Sequence, residues 1–351
     1  MSYDFIVLGS GISGLSTALM LGERGYRVAL VGTPELMILV GGSSSGILTY
    51  HMDEPFIEWS LRTLDFYRRI DDGSILEAGP SLWFSPSEAF VRKVLGRVAE
   101  AGLKYKILDS DQVRGLPFKT VEEDEVIVVA ELYTMAVGRL FKSILNMMGD
   151  LDVEIVEGWG TLKGDTVTVR GENLRGEVIV AAGPWSKGLA NLENTIIYKC
   201  QAARLEEPKI DYAIIDDVKG YYASRTEDNT IALGDGIKTL VEEPEEAFKP
   251  DKRVIEEIIR RAESRGIIAK PKISYTVSAP CIGTGDSYPL VGEAREGVYV
   301  ITALDGVGFS IGPALAELLV EHLTRGAKIP GELDPKRKID NKSPIEPVDS
   351  P

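Results

Sequence analysis

Residues 3–32 constrain the fold more than any other segment, because two apolar runs flank a glycine motif and a helical pattern. The motif is Gly-x-Gly-x-x-Gly and directly follows the first run. In this order of strand, turn, helix and strand, Gly9 permits a tight turn, Gly11 lets a pyrophosphate approach the backbone, and Gly14 lets helix and strand pack closely. Free N–H groups at the start of the helix add a favourable site for phosphate. The predicted dinucleotide contacts are Gly9, Ser10, Gly11, Ile12, Ser13 and Gly14.

The end of the second apolar run departs from the usual pattern, in which an acidic residue accepts hydrogen bonds from a ribose. Gly32 occupies that position, Thr33 follows it, and the nearest acid is Glu35. We therefore expect the ribose to be held by the backbone at Gly32, by Thr33, by Glu35 or by water. No Arg or Lys stands there to receive a phosphorylated ribose.

Composition limits the function classes. The chain has 351 residues and a net charge of -15, so two domains or one two-lobed unit are expected and nucleic acid is not expected as a partner. Two cysteines do not make a disulfide framework and indicate a reducing cytoplasm. No signal peptide, metal-ligand cluster or run of about 18 apolar residues is visible, although peripheral membrane or homo-oligomer contact stays open. Few Gln residues beside many Glu and Lys residues favour a thermophilic source.

A Gly/Ser-rich segment at residues 41–47 has apolar flanks. It is either a flexible surface loop or a ligand loop, because small residues let a flat ring or a phosphate approach the backbone. We favour the ligand loop and include Gly42, Ser43, Ser44, Ser45 and Gly46 in the site.

Periodicity predicts an α/β protein of mixed α+β character. The predicted helices are 54–71, 87–101, 109–116, 134–148, 250–266 and 310–324. The predicted strands are 105–108, 126–129, 153–162, 166–170, 177–182, 274–279 and 298–302, with short antiparallel strands across 195–236. The strand before Gly183 is apolar throughout, as in a buried parallel sheet, and ligands bind at the carboxyl ends of such strands. A second strand, glycine turn and helix occurs at 298–324.

Together these blocks resemble the FAD-dependent D-amino-acid oxidase family, including glycine oxidase, sarcosine oxidase and dye-linked proline dehydrogenase. The resemblance is carried by residues 9–19, 180–186, and 289–292 with 306–313. It implies a Rossmann-like FAD-binding domain (1–70, 135–195, 285–330), an interleaved antiparallel-sheet substrate domain (71–134, 196–284) and a C-terminal tail (331–351).

The resemblance also implies contacts with FAD beyond the first turn. The Ser43–Gly46 region would flank the flavin, and backbone amides at 306–310 would face the pyrimidine side of the isoalloxazine, where a reduced flavin gathers negative charge. The further implied cofactor contacts are Gly32, Thr33, Ala182, Gly183, Trp185, Asp305, Gly306, Val307, Gly308, Phe309 and Ser310.

One departure affects the substrate. Glycine-oxidase-like proteins carry an arginine for the substrate carboxylate at the position of Cys281, and a thiol cannot replace a bidentate guanidinium. Either another cation binds the carboxylate, with Arg225 the best candidate, or the substrate lacks one. Arg225 is equally explained as a surface residue at the end of a strand.

The resemblance implies oxidation of an amino acid, imino acid or secondary amine by hydride transfer to flavin N5, with oxygen, a quinone or a partner subunit as electron acceptor. His51, Tyr222 and Arg225 are the candidate catalytic residues, and His51 could instead be structural. The alternatives are a flavoprotein subunit of a dye-linked dehydrogenase complex, an oxidoreductase for a 2-hydroxy acid or other amine, and an NAD-binding protein.

Overall fold

The computed structural model describes residues 2–33, 46–109, 112, 125–234 and 237–339. The helices are α1 (Ile12–Glu23), α2 (Phe56–Ile70), α3 (Glu88–Glu100), α4 (Val137–Met148), α5 (Ser186–Ala190), α6 (Lys252–Arg265) and α7 (Gly308–Arg325). The first strands are β1 (Ser2–Leu8), β2 (Val28–Gly32), β3 (Ile47–Leu48), β4 (Leu76–Ser85), β5 (Tyr105–Ile107), β6 (Val126–Met135), β7 (Val153–Glu157), β8 (Gly160–Lys163) and β9 (Thr166–Val169). The others are β10 (Glu172–Val180), β11 (Thr195–Glu207), β12 (Ala213–Asp216), β13 (Tyr221–Arg225), β14 (Ile231–Gly234), β15 (Thr239–Val241), β16 (Lys272–Thr284), β17 (Leu290–Arg295) and β18 (Val298–Thr302).

The first sheet has the main order β17-β18-β10-β1-β2-β7, in which the strands run parallel except β17. Two further strands extend it by antiparallel pairing, β9 beside β10 and β8 beside β9. Val7 of β1 lies between Leu30 of β2 and Ile179 of β10. These apolar strands are covered on both faces, which explains why they lack alternation. The predicted strand, turn, helix and strand are confirmed, and α1 packs against α7.

The second sheet has the order β15-β11-β14-β13-β12-β4-β6-β3, with β16 beside β11 and β5 beside β6. The predicted antiparallel pairing across residues 195–236 is found, but β12 and β4 pair in parallel. The sequence did not predict β4, and the single strand expected at 153–162 is divided into β7 and β8. Gly158, at φ +139°, breaks that strand.

Alternation along β13 separates the two faces of the second sheet. Tyr222 belongs to the core shared with the first sheet, whereas Tyr221 and Ala223 pack toward α6. We call these the inner face and the outer face. On the outer side, the buried Arg265 side chain binds Asp216 at 2.8 Å and Glu125 at 2.5 Å.

Sheet membership follows the predicted domain segments apart from Ile47–Leu48, which pairs with β6. The division into cofactor and substrate domains stays a prediction. Residues 331–339 pack against the body, with Leu333 buried and Arg337 bound to Asp286 at 2.8 Å. Most of the helix expected at 109–116 lies outside the described residues. No described helix is long and apolar enough to cross a bilayer.

Candidate active site

The predicted dinucleotide turn directly follows β1. Gly9 adopts φ +117°, and a Cβ atom on Gly9 or Gly14 would overlap backbone carbonyl oxygens of Ala181 or Gly9. Neither position therefore accepts a side chain. A Cβ on Gly11, in contrast, would meet no described atom within 4 Å. The open space over Gly11 and the start of α1 fit the approach of a pyrophosphate.

The start of α7 lies beside this turn. A Cβ on Gly308 would stand 4.0 Å from Ile12, and one on Gly312 would stand 3.1 Å from the Ser13 hydroxyl oxygen. The first turns of α1 and α7 therefore lie close together, and neither helix start has a side-chain cap. Two predicted segments distant in sequence are thus brought together.

The missing acid at the end of β2 has a steric explanation. A Cβ on Gly32 would overlap the side chain of Ser10 and lie 3.1 Å from the Ser10 nitrogen. Ser10 therefore occupies the space that an acidic side chain would need. The hydroxyl of Thr33 is buried and has no hydrogen-bond partner among the described residues, which suits a ribose hydroxyl.

The Gly/Ser loop is described only from Gly46 onward, and the predicted contacts Gly42, Ser43, Ser44 and Ser45 lie outside the described residues. Gly46 has φ +69° and leads into β3. Beyond β3, the backbone N–H of Thr49 donates to the Ser310 hydroxyl at 3.0 Å. This contact places the segment that follows the loop against the start of α7.

The mid-chain strand β10 ends at Val180, two residues before its predicted end. Gly183 has φ +52° beyond β10, and its carbonyl accepts a hydrogen bond from Thr302 at 3.1 Å. Ala182 is partly buried on the same edge. Trp185 instead points along the surface: its indole N–H donates to Glu245 at 2.7 Å and its ring lies 5.5 Å from Trp159.

The turn before α7 is held by an ionic network. Asp305 and Gly306 adopt φ +48° and +83°, and the Asp305 carboxylate receives Lys238 Nζ at 2.8 Å and the Tyr198 hydroxyl at 2.6 Å. Burial and the Asp305 carboxylate raise the pKa of Tyr198, so its hydroxyl stays protonated and donates. Asp305 therefore fixes the turn through its side chain. At the next residues, Val307 precedes α7 and the Phe309 carbonyl accepts from Tyr67 at 2.7 Å.

His51 is buried on the inner side of the second sheet. Its ring lies 4.5 Å from that of Trp83, and neither ring nitrogen has a hydrogen-bond partner among the described residues. Burial lowers the pKa of His51 to about 3, so the imidazole is neutral near pH 7. A neutral ring has one donor and one acceptor, and here both are buried without a described partner.

Tyr222 lies on the same inner face as Trp83. Ile215 of β12 lies between Trp83 of β4 and Tyr222 of β13, so β4 and β13 are about 10 Å apart. The Tyr222 hydroxyl lies over Gly234, where a Cβ would overlap it. The fold therefore brings His51 and Tyr222 to one surface through Trp83.

Arg225 is not brought to this surface. It is exposed at the end of β13 and shares the outer face with Tyr221 and Ala223. The register thus favours the surface-residue interpretation over the carboxylate-binding one.

Two features of the inner face were not predicted. Cys281 is bonded to Cys200, a pairing that the sequence did not predict. Asp217 directly follows β12 and accepts a hydrogen bond from the Trp83 indole at 2.7 Å. Lost hydration raises the pKa of Asp217, the hydrogen bond from Trp83 acts against this rise, and the charge of Asp216 adds to it, although the residue as a whole is exposed. It has no ion pair among the described residues.

Solved structures share this architecture. L-proline dehydrogenase from P. horikoshii is 18% identical, with a TM-score of 0.79 over 95% of this chain and 97% of the other. Glycine oxidase from Geobacillus kaustophilus is 15% identical, with a TM-score of 0.77 over 97% and 100%. L-amino acid deaminase from Proteus vulgaris is 16% identical, with a TM-score of 0.75 over 96% and 97%.

No curated protein sequence matches the chain. The family model described as FAD dependent oxidoreductase (DAO) matches residues 4–322. That range contains both glycine turns, the mid-chain strand and both sheets. The chain therefore belongs to the DAO family of FAD-dependent oxidoreductases.

Proposed function

We propose that the chain oxidises an amino acid, imino acid or secondary amine by hydride transfer from the carbon beside nitrogen to N5 of FAD. When bound, FAD supplies the two-electron chemistry, and the protein supplies orientation and electrostatics. The observation that carries the proposal is His51, a buried and neutral imidazole whose nitrogens have no partner among the described residues. It lies two residues beyond Thr49, whose backbone N–H donates to Ser310 at the start of α7.

Each end of the cofactor has a candidate partner in the chain. We assign the pyrophosphate to the turn at Gly9–Gly14 and a ribose hydroxyl to Thr33, whose oxygen is buried without a described partner. We assign the pyrimidine side of the flavin to residues 306–310, where the N-terminal amides of α7 favour negative charge. His51 and Tyr222 would orient the substrate from the inner face.

The inner face carries both an acid and a cation: Asp217 suits an amine, and Arg204 is buried on β11 between the outer-face residues Ala203 and Leu205. Cys281 is bonded to Cys200, Lys238 is bound to Asp305, and Arg225 is on the outer face. Asp217 offers a carboxylate without a described ion-pair partner, which suits a protonated amino group. We therefore keep a carboxylate-free amine among the proposed substrates.

A second candidate is a dehydrogenase that passes electrons to a dye, quinone or partner subunit. The similarity in fold to L-proline dehydrogenase favours it. Slow reduction of oxygen with fast reduction of a dye would distinguish it from an oxidase.

The composition also leads us to propose a thermophilic source and a cytoplasmic setting. A disulfide does not oppose this setting, because intracellular proteins of hyperthermophiles are often rich in disulfides.

The test is anaerobic bleaching of the flavin absorbance by single compounds. L-proline and pyrrolidine form a matched pair that differs only in the carboxylate, and D- and L-amino acids and N-methylglycine extend the series. We expect at least one amine to bleach the flavin in the native enzyme. His51→Gln should slow this step by tenfold or more, at about 1.4 kcal/mol per factor of ten, whereas the control His322→Gln near the end of α7 should not. Bound FAD that no amine bleaches would contradict the proposal.

A further inference from the structure

The disulfide lies beneath the turn that precedes α7. Cys200 on β11 and Cys281 on β16 have Cα atoms 5.9 Å apart, although 81 residues separate them in sequence. The Sγ atom of Cys200 is 3.9 Å from the point where a Cβ on Gly306 would stand. One sulfur therefore borders the space that a side chain on Gly306 would enter.

The same two strands hold the turn through polar contacts. Tyr198 stands opposite Cys281 in the ladder and donates its hydroxyl to Asp305 at 2.6 Å. The backbone N–H of Asp305 donates to the carbonyl of Ile282, at 3.1 Å. Each contact involves a residue next to, or directly opposite, Cys281. The S–S bond thus ties the strands together where the turn rests on them.

The pairing of these strands does not depend on the disulfide. β11 and β16 pair without a register shift from Thr195 and Thr284 to Arg204 and Tyr275, on both sides of the two cysteines. Breaking the S–S bond would remove a local constraint and leave the ladder in place. Both cysteines are partly exposed, so a small dithiol can reach them.

We propose that Cys200 and Cys281 form a redox modification site that controls how tightly the protein retains FAD. A dithiol attacks one sulfur, the S–S bond breaks, and a second exchange releases both cysteines as thiols while the reductant becomes a disulfide. Two electrons and two protons pass from the reductant to the cysteine pair. The reduced form loses the constraint beneath Gly306 and binds the flavin more weakly. This inference rests on the proposed contact of the flavin with residues 306–310.

The first experiment measures release of FAD from the holoenzyme, by ultrafiltration and absorbance, before and after equilibration with dithiothreitol. Alkylation counts the thiols in each sample. We expect no thiols and slow release before reduction, then two thiols and release faster by about tenfold, within the usual range of coupling between two sites. The double variant C200S/C281S should release FAD at the fast rate with or without dithiothreitol.

A second measurement uses only the native protein. Because coupling between two sites is reciprocal, FAD should lower the fraction of reduced disulfide at a fixed ratio of reduced to oxidised dithiothreitol. Equal release from both forms, or an unchanged reduced fraction with FAD, would show a purely structural disulfide and overturn the inference. Two thiols in the protein as isolated in air would also overturn it. Failure to oxidise any amine would leave these results unaffected, so the two proposals fail separately.

Discussion

Gly32→Asp would place an acidic residue where dinucleotide-binding units usually have one, and we expect it to destabilise this protein. A Cβ on Gly32 would lie well under 3.0 Å from two side-chain atoms of Ser10, closer than real Cβ atoms approach. Ser10 cannot easily withdraw, because it belongs to the turn held between β1 and α1. Overpacking of this kind costs about 1–3 kcal/mol.

Ser10→Gly should recover most of that loss. It removes both side-chain atoms and leaves the Ser10 nitrogen at 3.1 Å from the new Cβ, a distance that a shift of a few tenths of an ångström relieves. The double variant should therefore show an interaction energy of about 1–2 kcal/mol in a double-mutant cycle. With the space opened, the new carboxylate could also reach the ribose and strengthen FAD binding.

Urea unfolding of the four proteins without added FAD gives the stability cycle, and titration of each with FAD gives affinity. Gly79→Asp is a matched control, because Gly79 lies in β4 and its Cβ would meet no described atom within 4 Å. A Gly32→Asp protein no less stable than the Gly79→Asp control would refute the steric argument. A loss that Ser10→Gly does not reduce would refute the role of Ser10.

Three further changes test other parts of the structure by urea unfolding. Arg265→Met leaves two buried carboxylates without their cation and should cost about 3–5 kcal/mol, whereas Arg260→Met, in an exposed pair on the same helix, should cost less than about 1 kcal/mol. The pKa of His51 is lowered from 6.5 in the unfolded chain to about 3 in the folded protein, so between these values only the unfolded chain binds the proton. The free energy of unfolding should therefore fall by up to about 1.4 kcal/mol per pH unit as the pH drops below 6.5, and His51→Gln should remove this contribution. The pKa of Asp217 is raised in the folded protein, so the ionised carboxylate opposes folding near pH 7. Asp217→Asn keeps an acceptor for the Trp83 indole and should leave the free energy of unfolding near pH 7 unchanged or higher. A clear loss of stability would contradict this.

The sequence alone predicts those parts of the fold that are determined by residues close together in the chain. The helix predicted at 87–101 is α3, Glu88–Glu100, and the Ser87 hydroxyl accepts from the Phe90 N–H at 3.3 Å at its start. The Gly9–Gly14 turn was equally predictable from the sequence, because its steric requirements arise within one short segment and the strand beside it.

Pairing between segments that are distant in the chain could not be predicted from the sequence. β4 was missed because Gly79 and Pro80 interrupt its apolar pattern, and its ten-residue register with β6 supplies the missing support. The disulfide depends on the register of β11 against β16, which spacing along the chain does not reveal. Asp217 is distinguished only by the hydrogen bond from Trp83, which the sequence around it does not indicate.

The groups around Trp83 also bear on how an amine substrate would lose its proton. Asp217 favours the protonated amine on binding, but hydride transfer needs the lone pair of the neutral amine. His51 is a poor base with a pKa of about 3, and the carboxylate of Asp305 is already bound to Lys238 and Tyr198. Binding thus favours the protonated amine and oxidation requires the neutral amine, and neither His51 nor Asp305 is suited to remove the proton. The proton would then leave to solvent before oxidation, so the rise of kcat/KM with pH should follow the pKa of each amine substrate and not that of a protein group.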